Sequence, residues 1–324
     1  MTLTIPGEES VATVGGAARW DVVGVGANSV DLVHLLPAFP EPEGWRSKMR
    51  IARRLVHCGG QVATTTAACA RLGLRAKYVG VTGNDEHGRR VREALASRGI
   101  DLAHVVVRQA PNQFAVILID EGSGERAVLW ERDERLRLRD EELPWEAIAS
   151  ARLLHVDDVD PDAAIALALG ARQRGVPVTS DLDRADGRAE ELVAAVTVPV
   201  FTDGLPQALT GLDDREAALR RLRQPHHSML CVTLGHAGAL ALDGDRVILS
   251  PGLTVEAVDT TGAGDIFRGG LIRGLLHGWE TERTLAFANA TAALSCTRHG
   301  ALDSVPALAE VEGMLERMGP GARG

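Results

Sequence analysis

Residues 259–265 read Asp-Thr-Thr-Gly-Ala-Gly-Asp and run straight into the apolar, proline-free stretch 266–276. Glycines at a helix start let backbone N–H groups converge on one point, and the helix dipole adds partial positive charge there. Gly262, Ala263 and Gly264 are therefore a candidate anion nest, a device that binds phosphate even in an acidic protein. Asp265 falls in the first turn beside that nest. A carboxylate so placed can take the proton of a hydroxyl as the hydroxyl attacks phosphorus. The simpler role for Asp265 is a helix cap, because Asp is favoured at helix starts. For an isolated Gly-x-Gly-Asp the two roles weigh about equally; the complete seven-residue run favours chemistry.

A second glycine cluster, Gly59-Gly60-Gln61-Val62-Ala63-Thr64, opens a helix that runs to Ala70-Arg71-Leu72-Gly73. Paired glycines admit a ligand close to the backbone, and the helix again offers free N–H groups. A ligand-free strand-to-helix turn is the competing role. Weaker patterns surround these two. Gly24-x-Gly26-x-x-Ser29 imitates a dinucleotide fingerprint but lacks the last glycine and precedes a strand rather than a helix. His226-His227 has no spaced partner ligands and reads as surface. The run Arg132-Asp133-Glu134-Arg135 reads as a solvated hairpin end. Asp157-Asp158, after a strand at 153–156, is either a solvated loop or a pair that meets substrate.

The elements that must position these residues alternate. Strands are expected at 20–25, 30–36, 49–57, 76–81 and 105–107, with helices at 61–72 and 86–98. Segments 114–119 and 126–130 flank Asp120-Glu121-Gly122-Ser123-Gly124 and predict a hairpin. Beyond residue 150, strands at 153–156, 177–181, 198–202 and 229–234 are separated by helical stretches, which implies a parallel sheet covered on both faces. Segments 30–57 and 112–132 break that rhythm and are expected to form a small antiparallel sheet of their own. The expected organisation is a leader over 1–18, one domain over 19–318, and a tail over 319–324.

Composition narrows the function. The 324 residues carry a net charge of −9, which disfavours a nucleic-acid or anionic-membrane surface. No apolar run approaches a membrane span. The four scattered cysteines, Cys58, Cys69, Cys231 and Cys296, fit reduced thiols in a cytoplasm rather than a disulfide framework or zinc site.

Together the two glycine segments resemble those of the ribokinase-like carbohydrate kinases, the PfkB family. The likeness spans roughly residues 20–306. It includes Gly26 to Asp31, the stretch 78–85, Thr233-Leu234-Gly235-His236-Ala237-Gly238, Ala288-Asn289-Ala290 and Thr297-Arg298-His299-Gly300. The resemblance implies an α/β fold, an αβα sandwich with a mostly parallel central sheet and a small β-sheet lid. It implies ATP as phosphate donor and Mg²⁺ as its counterion. Asp265 then matches the catalytic base, with Gly262, Ala263 and Gly264 as the anion hole. Asp31, Gly59, Gly60, Thr64 and Asp157 match sugar-binding positions. Thr233, Gly235, Gly238 and Asn289 match the nucleotide side, and Asp259 with Thr261 matches a monovalent-cation site that would take K⁺. Two departures stand out. Thr64 replaces a usual Asn, and Thr202-Asp203-Gly204-Leu205 stands where the family carries Asn-x-x-Glu.

The expected reaction is transfer of the γ-phosphate of ATP to a hydroxyl of a small sugar or sugar acid. The few aromatic residues disfavour a nucleobase acceptor, and Gln61, where phosphosugar kinases of the family carry Lys, disfavours a phosphosugar. The Gly-Gly-x-x-Ala-Thr form keeps a sulfosugar acceptor open. A non-catalytic sensor on the same fold would not need Asp265. An apolar lid face further predicts a homodimer.

Overall fold

The computed structural model describes residues 18–123 and 125–317. The expected leader lies outside the described residues except for residue 18, and the expected tail lies wholly outside them. Among the described residues no helix is long and apolar enough to cross a membrane.

One run of strands forms the body. β1 (Trp20–Val25) lies between β4 (Ala76–Val79) and β9 (Ala151–Asp157), and β10 (Val178–Asp181) follows β9, all parallel. Single bridges Thr179–Val198 and Leu182–Phe201 carry the order on to β11 (Val200–Phe201). β12 (Met229–Thr233) pairs parallel with β11, and β13 (Gly238–Asp243) and β14 (Arg246–Pro251) complete the edge antiparallel. The parallel reading thus holds for most of the sheet. The β13–β14 hairpin escaped it, although Gly244-Asp245 between two alternating runs is a hairpin signal.

Alternation along each strand sends side chains to two helical layers. Val23, Leu154, Val178 and Val232 pack with α3 (Trp145–Ala149), α4 (Pro161–Gln173), α5 (Ala189–Ala195) and α7 (Arg215–Leu222). Val22, Leu153, Val200 and Cys231 pack on the other side with α1 (Gln61–Arg71), α8 (Ala263–Leu276) and α9 (Thr281–Ser295). Period-2 alternation of apolar residues on both faces is what a sheet between two helix layers requires. The remaining helices are α2 (Glu86–Ala96), α6 (Leu205–Thr210) and α10 (Leu308–Arg317), and β5 (Val81–Gly83) pairs with β6 (Val106–Arg108).

The out-of-rhythm segments form a separate four-stranded sheet in the order β3 (Arg53–Gly59), β2 (Ser29–Leu36), β7 (Phe114–Asp120), β8 (Arg126–Glu131). The hairpin β7–β8 is as expected, and the strand expected from residue 49 starts at Arg53. The sheet is not antiparallel throughout, because β2 and β7 pair in parallel. Those two strands come from distant segments, so no turn dictates their direction.

Three local expectations change. His227 is buried, with Nε2 2.8 Å from the Val193 carbonyl and Nδ1 accepting the Gln224 N–H; burial first, then neighbouring charge, lowers its pKa to about 4. Arg132 is no solvated hairpin end: it pairs with Asp160 at 2.9 Å, both largely buried. Asp157 and Asp158 are buried rather than solvated.

Candidate active site

The two glycine-led helices start side by side. α8 packs on α1 through Gly269, where a Cβ would collide with that of Ala68. Thr65 on α1 donates its hydroxyl to the Asp265 carbonyl at 3.0 Å. Gly262, the residue before α8, sits at φ +76°, and a Cβ there would stand 2.7 Å from Ala301 Cβ and 3.4 Å from Thr64 Cγ2. Only glycine combines that left-handed backbone with so close an approach. Gly60, before α1, is likewise at φ +99° against the Asn28 backbone. Gly262, Ala263, Gly264 and Asp265 thus lie next to Gly60 and Thr64, although some 200 residues separate the segments. Thr64 is fully buried and its Oγ1 has no partner.

Asp265 keeps a strip of solvent contact yet sits deep. Burial, and then the neighbouring Asp181 carboxylate, push its pKa well above the usual carboxylate range, against the pull of Arg268.

Asp31 lies near the start of β2, opposite His57. Its Oδ1 accepts from Ser29 Oγ at 3.0 Å, and its Oδ2 lies so near Gly59 that a Cβ there would be 2.5 Å away. That glycine is what makes room for the carboxylate. Burial raises the Asp31 pKa, partly offset by Ser29 and His57. Asp157 differs: Oδ2 accepts the Ala27 N–H at 2.7 Å and Oδ1 the Val159 N–H at 3.1 Å, with 1 % of the residue exposed. It clamps the turn after β1 through both oxygens. Burial raises its pKa to about 7.

The expected nucleotide side is set by β12 to β14 and α9. Thr233 ends β12 and donates to the Phe201 carbonyl at 3.3 Å. Gly235, at φ +57°, faces open space. Gly238, at φ +101°, has no room for a Cβ beside the Ser250 carbonyl. Asn289 Nδ2 donates to the carbonyl and hydroxyl of Ser250, at 3.1 and 3.0 Å, tying α9 to β14. Asp259 accepts from Thr261 N and Gly300 N, both at 2.9 Å. Burial raises its pKa, but these N–H groups and His299 outweigh that and leave it lowered. Asp203, which replaces part of the missing motif, is half exposed and paired with Arg215 at 2.7 Å.

Pairing register shows which lid residues share a face. Asp31, Val33, His57, Leu55, Ala115, Ile117, Arg126, Val128 and Trp130 lie on one side; Leu32, Val116, Leu118 and Leu129 lie on the other. The first set faces the body, because Arg126 Nη1 donates to Thr260 Oγ1 at 3.2 Å and the Trp130 ring lies 5.3 Å from the Arg184 guanidinium. β8 therefore runs from the glycine loop to the loop beyond β10 and roofs the cleft on the same sheet face as Asp31.

Two groups of site residues were missed by sequence reasoning. Asn28, Tyr78 and Asn112 form a buried network, with Tyr78 donating to the Gly26 carbonyl, that fixes the turn carrying β1 into β2. Asp181 and Arg268 pair beside Asp265.

The fold and this cleft are those of a ribokinase-like α/β kinase. A ribokinase from Arabidopsis thaliana, solved with ribose and ATP, superposes with a TM-score of 0.77 at 25 % identity, over 91 % of this chain and 98 % of that one. The pfkB family carbohydrate kinase model matches residues 21–308, and the chain belongs to that family. An ATP-dependent ribose-1-phosphate kinase of Halopiger xanaduensis is 31 % identical over 91 % of this chain and 98 % of its own. A ribokinase of Haemophilus influenzae is 28 % identical over 80 % and 87 %. These relatives define a sugar kinase, a phosphotransferase with an alcohol acceptor.

Proposed function

We propose that the chain transfers the γ-phosphate of ATP to a hydroxyl of a small sugar or sugar acid, with Asp265 as base and the Gly262–Gly264 backbone as anion hole. The observation that supports this reading is the meeting of the α1 and α8 starts, with Gly262 against Thr64, Thr65 bonded to the Asp265 carbonyl, and Gly59 against the Asp31 carboxylate. Phosphoryl transfer needs alignment, charge neutralisation and a proton acceptor more than covalent help from the protein. Asp31 holds the acceptor through sugar hydroxyls, Asp265 takes the hydroxyl proton, and the nest N–H groups receive the transferring phosphoryl oxygens. Thr233 and Gly235 border the nucleotide, while Gly238 and Asn289 shape that border.

Mg²⁺ would be carried on the nucleotide's phosphates, because this ion takes phosphate and water oxygens with one or two carboxylates rather than an all-protein cage. When bound it supplies charge neutralisation to the triphosphate. Asp259 and Thr261 frame the K⁺ position, with Asp259's remaining lone pairs available beside its two N–H bonds. A homodimer through the small sheet would cover β8, which is exposed along its length; a monomer mass by light scattering at micromolar concentration rejects it.

The test is ADP release across hexoses, pentoses, sugar acids, pentose phosphates and nucleosides, with Mg²⁺ and with EDTA. Release stimulated by one acceptor class and abolished by EDTA is expected. ADP release that no acceptor stimulates contradicts the reading.

One observation favours a second reading, a phosphorylated pentose as acceptor. Arg126 and Arg184 place guanidinium groups at the two ends of the β8 roof, and the Halopiger relative bears the name of a ribose-1-phosphate kinase. Under that reading kcat/KM for D-ribose 1-phosphate exceeds that for D-ribose at least tenfold, roughly the worth of one charge-assisted hydrogen bond. A preference for D-ribose rejects it.

A further inference from the structure

Asp181, the last residue of β10, ends beside the first turn of α8. Its Oδ1 lies 2.7 Å from Arg268 Nη2, and neither side chain is more than 4 % exposed. The same carboxylate is near enough to Asp265 to push that residue's pKa up. Residues three apart on a helix share a face, so Asp265 and Arg268 reach Asp181 together. Arg268 also borders the nest, since a Cβ on Gly264 would stand 3.0 Å from its Nη1.

The cluster has unfinished bonding. Asp181 Oδ2 and Arg268 Nε are buried without a partner. Two carboxyls sharing one proton beside one guanidinium carry no net charge and give Oδ2 its hydrogen bond, which is what a dry site favours. The other charged neighbours are Asp183, beyond β10, Asp157, which ends β9, and Asp158 after it. His155 and Cys231 also face Arg268. Burial and then Arg268 lower the His155 pKa to about 3, and burial pushes the Cys231 thiol up to about 12, so neither is charged at neutral pH.

We propose that the Asp181–Arg268 ion pair is a positioning device for Asp265, holding its carboxyl toward the glycine nest and balancing its charge. The inference rests on the reading of Asp265 as base. The proton leaves the acceptor hydroxyl for Asp265 as the new O–P bond forms, and the electron pair of the broken bond leaves with ADP. A base misplaced by about 1 Å can lose up to about 10²-fold in rate. A group acting only through fold stability would lower the melting point without moving the pH dependence of turnover.

The test compares wild type, Arg268→Met, Asp181→Asn, the double variant Asp181→Asn/Arg268→Gln, and Asp265→Asn. The acceptor is D-ribose, or D-ribose 1-phosphate if D-ribose is not turned over. For the first two variants kcat should fall about 10- to 100-fold, with both KM values nearly unchanged. Their acid limbs should move in opposite senses. Removing the Arg268 cation favours protonated Asp265 and moves the limb up by about one unit; removing the Asp181 anion moves it down by about as much. If the single variants do not fold, the double variant carries the test, because it leaves no unpaired buried charge. A folded double variant with tenfold lower kcat supports the proposal, and one with wild-type kcat overturns it. Unmoved acid limbs with wild-type kcat in folded single variants also overturn it. The underlying reading fails separately, if Asp265→Asn keeps more than about a third of wild-type turnover.

Discussion

The floor and the roof of the cleft are built differently. The floor is two helix starts pressed together, with Gly269 on Ala68, Gly262 against Ala301, and Thr65 bonded to the Asp265 carbonyl. Every one of these contacts leaves no room for an added methyl or no free donor. The roof is a four-stranded sheet whose last strand exposes Val128, Leu129 and Trp130. It meets the body along β8 through the Arg126–Thr260 bond and the Trp130–Arg184 stack. Sparse packing of this kind gives low local stability. The contrast separates a closely packed floor, which suits the proton and phosphoryl geometry proposed for it, from a sparsely packed roof over the proposed acceptor position.

That division can be broken from the floor first. Chelating Mg²⁺ with EDTA should abolish turnover, and added Mg²⁺ should restore it; full activity without a divalent ion rejects the account of the floor. Gly262→Ala comes next. The alanine must hold a left-handed backbone, a strain of roughly 1–2 kcal/mol, and its methyl meets Ala301. Turnover should fall at least about tenfold and the melting temperature should drop. Wild-type kcat would show that the nest does not depend on this turn.

Asp31→Ala probes the corner where floor meets roof. Loss of charge-assisted hydrogen bonds worth roughly 1.5–3 kcal/mol should raise the acceptor KM about tenfold or more, with the ATP KM unchanged. The competing role, capping a turn, predicts a lower melting point and normal acceptor kinetics. Trp130→Ala should act least. Removing an exposed cation–π contact of about 0.5–1 kcal/mol raises the acceptor KM about two- to fivefold and leaves the melting temperature alone. A larger effect on melting than on KM would mean the roof is structural.

Legibility followed locality. The alternation of strands and helices, the β7–β8 hairpin and both glycine-led helix starts depend on residues close in sequence, and they could be read without coordinates. The parallel pairing of β2 with β7 could not, because nothing local to either strand selects a partner about 80 residues away. Asp157 was open to two readings from its position and proved to spend both oxygens on backbone N–H groups of its own turn and of Ala27. Asp181 and Arg268 were silent in the sequence for the same reason as β2 and β7. An Asp ending a strand and an Arg inside a helix are ordinary residues until the fold brings them within 2.7 Å. His227 looked like surface because a His-His pair with no spaced ligands has no motif, yet both its ring nitrogens find partners in the interior.

The most direct measurement of the central claim is kcat for Asp265→Asn together with its ATP dissociation constant. The amide keeps the shape of the carboxyl but cannot accept the proton. Turnover should fall by roughly 10²–10⁴-fold, while ATP affinity stays close to wild type because the nest is backbone. A variant that retains more than about a third of wild-type turnover would contradict the assignment of Asp265 as the base.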